Sequence, residues 1–596
     1  MLYKIFKYAI HTALCLIVVG AVVSWIGARS LTLTMGIGET AQELPFELTL
    51  RSFEVVNYPG TSTPADYVCR VDLDGKPAEL SMNHIARSHG YRFFLKGYDE
   101  YGGGVTLTAR YDPWGTGIVY SGYFLLLIGM IGMLFTRSSR FRAALSRLGC
   151  VAALLFAGAL GASAAPAAPK VLPREVADEF GHLYVFYNGR IAPMQTMARD
   201  YVMKAYGKPS YDGYSAEQVF TGWMLFYDSW KDIPLKKKGM EERRQAVLSI
   251  ASGKTVKMFP ILAEDGSVEW YSSADRLPLS VPDDEWTFVK KVGSLVGEYA
   301  FEKDYEAISG VISKVGKFQR DRVGEHLPSE ASVRAEREYN ALGRPFVPAI
   351  VFVMLGIALF LLAVFKIRPA DPLGRVFGAL GLAYMTVVLS LRWYVSGHVP
   401  LASGFELMLA IAWAACLAVT LAGRRFSALR PMGILLAGFA MMVASLGESN
   451  PKIGPLQPVL SSPLLSIHVS CMMLAYTLFG LLALCGLMGL ISKQHKSFAD
   501  RGMAVMYPAL LLMVAGTVMG SIWANVSWGT YWNWDPKETW SLITIIAYAL
   551  PLHGRYFAWL REPRRFNWFS LIAFSSVLMT YFGVNLLFGG MHSYAG

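Results

Sequence analysis

The chain has 596 residues, is 54% hydrophobic and only 17% charged, and carries a formal net charge of +11. Length alone suggests several soluble domains, but long apolar runs exclude that class and make this a polytopic membrane protein. The surplus of Lys and Arg invites a nucleic-acid partner, so where the charges fall decides the matter.

They fall in alternate short loops. Lys4 and Lys7 precede the first apolar run; Arg137, Arg140, Arg142 and Arg147 follow the second. Later clusters are Lys366, Arg368 and Arg375; Arg424, Arg425 and Arg430; Lys493, Lys496 and Arg501; and Arg555, Arg561, Arg564 and Arg565. The short loops between carry almost none, which is the positive-inside pattern, so the basicity reports topology and no nucleic acid is expected. The alternation predicts about eleven spans, from a cytoplasmic N-terminus to an extracytoplasmic C-terminus. They lie near 8–26, 118–135, 149–164, 346–365, 375–392, 405–422, 432–446, 465–490, 504–523, 540–554 and 567–588. The third has a basic lead and an Ala-Ser-Ala ending; it is either a true span or a signal-like anchor left by gene fusion.

The expected fold is an all-α polytopic membrane protein with two extracytoplasmic domains. Residues 27–117 alternate apolar and polar positions, as in Phe46-Glu47-Leu48-Thr49-Leu50, with turn signals at Asp74-Gly75 and Gly102-Gly103-Gly104, and read as a small β-rich domain. Residues 165–345 carry helical patterning, as in Glu241-Glu242-Arg243-Arg244, and read as a mostly helical domain. The division is 1–148, 149–345 and 346–596. The six cysteines form no Cys-x-x-Cys pair, so neither a disulfide framework nor a thiol relay is expected, and without Cys-x-x-Cys-His the chain carries no covalent haem of its own.

Chemistry concentrates near the C-terminus. The stretch Trp528 to Trp540 reads WGTYWNWDPKETW, between two long apolar segments. Interfacial aromatics usually anchor helices at headgroup level. Trp528, Trp532, Trp534 and Trp540 together, with Gly529, Asp535 and Glu538, are better suited to a large, flat, amphipathic ligand. Two histidines sit at outer boundaries on either side of this stretch in sequence: His468 in LLSIHVSCMMLAY and His592 in FGGMHSYAG. A boundary histidine alone is more often a solvated or capping group; two on one face can hold haem iron from opposite sides. A second pair lies near the cytoplasmic boundary: His11, four residues after Lys7, and His553, two before Arg555. Intramembrane ionisable groups tend to mark ligand pathways, with helix-end hydrogen bonding as the plain alternative. His398 precedes Pro400 and is best read as holding a turn, while His84, His89, His182, His326 and His495 have no partner spacing.

These residues resemble a known family. WGTYWNWDPKETW is similar to the "WWD" motif of haem-handling proteins in cytochrome c maturation, and its DPKETW ending to the CcsA-type proteins of System II. RWYVSGHVPLASGFELM at 392–408, IHVSCMMLAY at 467–476 and FGVN with MHSY at 582–594 extend the match. DPWGTGIVYSGYFLLLIG at 112–129 resembles CcsB, also called ResB, so the whole chain resembles a fused CcsB–CcsA cytochrome c synthase. One departure is visible: Ala402-Ser403-Gly404-Phe405-Glu406-Leu407 stands where relatives commonly have Ser-Asn-x-Tyr-Glu-Ser.

The resemblance implies haem as substrate and bound ligand. It implies His468, His592, His11 and His553 as axial ligands of its iron, His11 on position and depth alone. Trp528, Trp532 and Trp534 would cup the porphyrin. Asp535 and Glu538 would steer propionates, place the incoming peptide or simply cap the next helix. The implied activity is thioether attachment of haem to the Cys-x-x-Cys-His motif of apocytochrome c at the periplasmic face of a bacterial inner membrane. A thioredoxin-like reductant and membrane lipid are the implied partners. The alternative is a haem exporter that serves a separate synthase.

Overall fold

The computed structural model describes residues 2–99, 104–136, 169–235, 240–263, 267–365, 370–422, 428–447 and 452–588. The third expected span at 149–164, the 148/149 boundary and His592 lie outside the described residues. Among those described, eight helices are long and apolar enough to cross a membrane: Leu2–Gly27, Gly115–Met133, Phe346–Val364, Asp371–Ser396, Gly404–Leu421, Pro463–Ile491, His495–Ser527 and Pro563–Gly583. Arg430–Ser445 is a shorter apolar helix.

The first two spans pack through small residues. A Cβ placed on Gly115 would lie 2.7 Å from the Ser24 backbone nitrogen, and one on Gly122 would lie 3.0 Å from the Ala13 carbonyl. Such contacts let helix backbones approach where no hydrophobic effect drives them together. The first helix runs directly into strand β1 (Arg29–Met35), and β7 (Val105–Tyr111) leads into the second helix, so the β-rich domain stands on this pair. Its antiparallel sheets have orders β1-β7-β6-β5 and β2-β3-β4, with β2 Leu48–Asn57, β3 Pro64–Leu73, β4 Lys76–Leu80, β5 Ala86–Ser88 and β6 Tyr91–Tyr98. Period-2 alternation places Leu33, Leu48, Leu50, Cys69, Leu80, Phe93 and Leu107 in one core. Burial pushes the Cys69 thiol up to about 12, leaving it an inert core group. At the foot of the domain Asp112 accepts from Ser24 Oγ, from the Gly115 N–H (2.9 Å) and from Thr116 Oγ1 (2.9 Å), tying the two helix ends together.

The second domain is mostly helical, as expected, with two hairpins the sequence reading did not resolve: Tyr184–Tyr187 with Arg190–Pro193, and Phe259–Leu262 with Val268–Tyr271. Trp223, Phe220 and Phe259 are fully buried in its core.

Two expected spans take a different form. The stretch at 540–554 is an α-helix only over Pro536–Ala549, followed by a 3₁₀ turn Leu550–His553. Pro551 has no N–H to continue the α ladder, so the last turn tightens. The last helix, Pro563–Leu578, passes into a π-turn at Met579–Gly583 before Val584–Leu587.

Candidate functional site

The helix Pro463–Ile491 and the helix His495–Ser527 are packed along their length, and His468 sits between them. Its Nδ1 lies 2.6 Å from the Gly516 carbonyl. A carbonyl only accepts, so Nδ1 is the donor, and in the neutral ring the lone pair then belongs to Nε2. The ring fits there because residue 520 is glycine: a Cβ at Gly520 would lie 2.6 Å from His468 Nδ1. The same tautomer recurs at His11, whose Nδ1 lies 2.7 Å from the Lys7 carbonyl, and at His553, 3.0 Å from the Ala549 carbonyl. A backbone carbonyl on the far ring nitrogen is the usual second partner of a metal-binding imidazole.

His468 lines a cavity of about 670 Å³ with His398, Trp523, Trp532, Lys537 and Tyr581. That size lies within the usual range for small-molecule and cofactor pockets, and most of the lining is apolar. The π-turn belongs to this site: it sets Thr580, Tyr581 and then Asn585 on the cavity wall. Among the three candidate tryptophans the roles divide. Trp532 lines the cavity, Trp528 packs edge-on against buried Trp523 at 4.8 Å between centroids, and Trp534 is 71% exposed, edge-on to Trp532 at 5.9 Å.

Trp534 has φ +56°, a conformation bulky residues rarely adopt. Glu538 holds it there: its Oε2 accepts from the N–H groups of Asn533 (2.8 Å) and Asp535 (3.2 Å), one on each side of Trp534. Asp535 in turn accepts from the Lys537 N–H at 2.9 Å. The two carboxylates form a capping box on the following helix. Glu538 also reaches the cavity wall.

Arg392 and Glu406, at the two ends of the RWYVSGHVPLASGFELM segment, close the loop that carries His398. Both side chains are 2% exposed, and Arg392 Nε donates to Glu406 Oε1 at 2.5 Å. Arg392 also donates to Tyr339 Oη (2.7 Å) and the Lys452 carbonyl (2.9 Å), and Glu406 Oε2 accepts from the N–H groups of Ala402 and Ser403. This gives Glu406 a structural task. His398 makes the expected turn contact, Nδ1 to the Val399 carbonyl at 3.1 Å, but it faces the cavity as well.

The N-terminal module grips the aromatic loop from the other side. Arg92 donates to Asn525 Oδ1 (2.9 Å), Asn525 to Tyr120 Oη (2.7 Å), and Ser527 to Asn83 Oδ1 (3.0 Å). The Phe94 ring lies 2.9 Å from where a Gly529 Cβ would be, and Gly529 has φ +79°, so only glycine fits. Burial lowers the Arg92 guanidinium and raises the Tyr531 phenol at this seam. Asn525, Ser527 and Gly529, every second residue, meet the β-rich domain or the second span.

At the opposite end of the membrane helices, His11 and His553 are neighbours, with ring centroids 6.0 Å apart and planes at 77°. One comes from the first helix and one from near the end of the chain. The sequence placed them at similar depth but gave no sign that their helices touch. Trp523, Lys537 and Tyr581 were missed because each sits in an apolar or motif context that hides which way it faces. Among the described residues no cluster of three His, Cys, Asp or Glu forms a conventional metal site.

Fold and site together define a multi-pass membrane protein with a large, mostly apolar cavity at its domain-bearing end and a histidine pair at the other. The family described as "Cytochrome C assembly protein" matches residues 401–592. Protein NrfI of Wolinella succinogenes is 31% identical over 666 residues, covering 95% of this chain and 73% of that protein. Cytochrome c biogenesis protein CcsA of Guillardia theta is 30% identical over 276 residues, covering 38% of this chain and 87% of its own. CcsA of Chlamydomonas reinhardtii is 31% identical over 242 residues, covering 37% and 67%. The chain belongs to the cytochrome c biogenesis family and joins CcsB-like and CcsA-like parts in one polypeptide.

Proposed function

We propose that this protein carries haem from the cytoplasmic to the periplasmic side of a bacterial inner membrane and there attaches it to apocytochrome c. The observation that carries this reading is the meeting of His11 and His553, 6.0 Å apart and drawn from opposite ends of the chain. That spacing suits two imidazoles sharing one metal ion at roughly 2 Å from each ring nitrogen. Both rings are fixed by helix carbonyls in the tautomer that leaves Nε2 able to ligate. The cavity around His468 is the second station, with His592 as the second axial ligand.

The chemistry is addition of a cysteine thiol across each haem vinyl group. Sulfur bonds to the carbon next to the ring, and the thiol proton ends on the terminal carbon, with no net oxidation. Most of the reactivity belongs to haem and thiol; the protein holds, orients and shields. Trp532 and Trp523 supply flat walls, and Lys537 supplies positive charge for the haem propionates. The thiols must arrive reduced, and with no Cys-x-x-Cys pair in this chain a separate thioredoxin-like protein is the proposed reductant.

Visible absorption of the purified full chain tests the reading, native and with His11, His553, His468 or His592 replaced by alanine. A Soret band altered by each replacement, and covalent product with co-expressed apocytochrome, are expected. A His468→Ala/His592→Ala variant with unchanged spectrum and product would sink the outer site. Bound haem without covalent product in the native protein would favour an exporter.

A further inference from the structure

The segment from Lys452 to Ser462 reads KIGPLQPVLSS and runs straight into the helix Pro463–Ile491 that carries His468. Pro455 and Pro458 have no N–H to give a ladder, and regular structure in the segment is limited to a 3₁₀ turn, Pro458–Leu460. The carbonyls of such a segment need donors from elsewhere. Side chains of separate modules supply them. Arg392, on a membrane helix, donates Nη2 to the Lys452 carbonyl at 2.9 Å. Arg190 of the helical domain donates Nε to the Ile453 carbonyl at 3.0 Å. From the β-rich domain, Tyr58 Oη donates to the Leu456 carbonyl at 3.0 Å, and Asn83 Nδ2 to those of Pro458 (3.0 Å) and Ser461 (3.2 Å).

This strap is part of the cavity, whose lining includes Leu456, Leu460, Ser461 and Ser462. His468 stands five residues past Pro463, about 8 Å up the helix. Asn83 also reaches the opposite rim: its Oδ1 accepts from Ser527 Oγ at 3.0 Å, one residue before Trp528 opens the aromatic loop. One amide therefore ties the strap to the loop that carries Trp532. On the side of the helical domain, Gly189, with φ +76°, lies flat against the strap; a Cβ there would come within 3.2 Å of Pro455 Cγ. Arg190 beside it is itself fixed, since both Nη atoms donate to Glu336, whose side chain is 2% exposed. The position of the strap thus follows the two outer domains.

None of Tyr58, Asn83 and Arg190 lines the cavity. We propose that they are positioning residues of the outer site: acting through the strap, they set the cavity rim against the aromatic loop and so fix how an occupant is presented. Both outer domains, the helical one included, then take part in the reaction without touching its reactants. The inference rests on the reading of the cavity as the outer haem station. Misplacing a reacting group by about 1 Å can cost about a hundredfold in rate, so single hydrogen bonds to the strap are enough to matter.

The test uses the full chain co-expressed with apocytochrome, reading covalent product per bound haem, the Soret band and Tm. Tyr58→Phe removes one hydroxyl and keeps the ring. Asn83→Asp keeps the acceptor for Ser527 and loses the donors to the strap. Arg190→Lys keeps a cation beside Glu336 and gives up the Nε bond to Ile453. Product per bound haem is expected to fall about threefold in Tyr58→Phe and Arg190→Lys and about tenfold in Asn83→Asp, with a shifted Soret band and a Tm within about 3 °C of native. A lower Tm and haem content with an unchanged ratio and band would mean that the strap only stabilises the fold, and overturns the proposal. An unchanged ratio in Arg190→Lys alone overturns the part given to the helical domain. If the native chain binds haem but forms no product, the reading of the activity fails instead, and the Soret shift in Asn83→Asp alone decides the positioning role. Should Asn83→Asp not fold, Tyr58→Phe/Ser527→Ala removes only two hydroxyls; a native ratio and band in that variant overturns the proposal.

Discussion

Gly520 and Glu538 show how single residues set the geometry of the cavity. Gly520 leaves no room between its Cα and the His468 ring, so Gly520→Ala must push the imidazole off the Gly516 carbonyl. The expected outcome is a perturbed axial-ligand spectrum close to that of His468→Ala, in a protein whose yield is unchanged; an identical spectrum would show that the ring has slack. Glu538 bridges the N–H groups on both sides of Trp534 and so holds a strained backbone, which typically costs about 1–3 kcal/mol. Glu538→Gln retains an acceptor oxygen and is expected to keep most product formation. Glu538→Ala frees the kink and is expected to lose it about tenfold or more, since misplacing a positioning group carries that scale of penalty. Equal activity in the two variants would remove the kink from the mechanism.

At the scale of elements, the loop between Arg392 and Glu406 is closed by an ion pair taken out of water. Breaking such a pair from one side leaves a buried charge and costs about 3–5 kcal/mol. Glu406→Ala is therefore expected to lower Tm strongly, whereas Arg392→Met/Glu406→Met should recover much of that loss; thermal unfolding in detergent reads both. The sequence displayed Arg392 and Glu406 only as members of a motif fourteen residues apart, and their partnership needs the loop to fold back. Helix ends were more legible. Asp535-Pro536-Lys537-Glu538 is a local capping signature, readable because both partners lie within one turn. The π-turn at Met579–Gly583 was not legible: an extra residue per turn has no compositional mark, and it is this turn that sets Tyr581 and Asn585 on the cavity wall.

At the scale of the whole molecule, the CcsB-like part works as a buttress. It contributes His11 to the pair with His553 and holds the aromatic loop beside the cavity through Asn83, Arg92 and Phe94. None of these contacts requires chain continuity. Residues 1–136 and 137–596 expressed as separate fragments are expected to co-purify and to retain bound haem; Arg92→Ala with Asn83→Ala should weaken their association, read as the fraction captured through a tag on one fragment. Fragments that never associate would show that the seam is too weak to carry this role.

Sequence by itself determined the membrane class, the two polar domains, the aromatic loop and the histidines, because each is written in local composition, periodicity or motif. It could also place His11 and His553 at one depth, since depth follows from counting residues along a helix. What only the tertiary structure decided is adjacency: that these two rings lie 6.0 Å apart, that Trp532 faces the cavity while Trp534 faces out, and that Arg92 reaches Asn525. Adjacency depends on which helix faces meet across hundreds of residues, and one chain read locally carries no record of that.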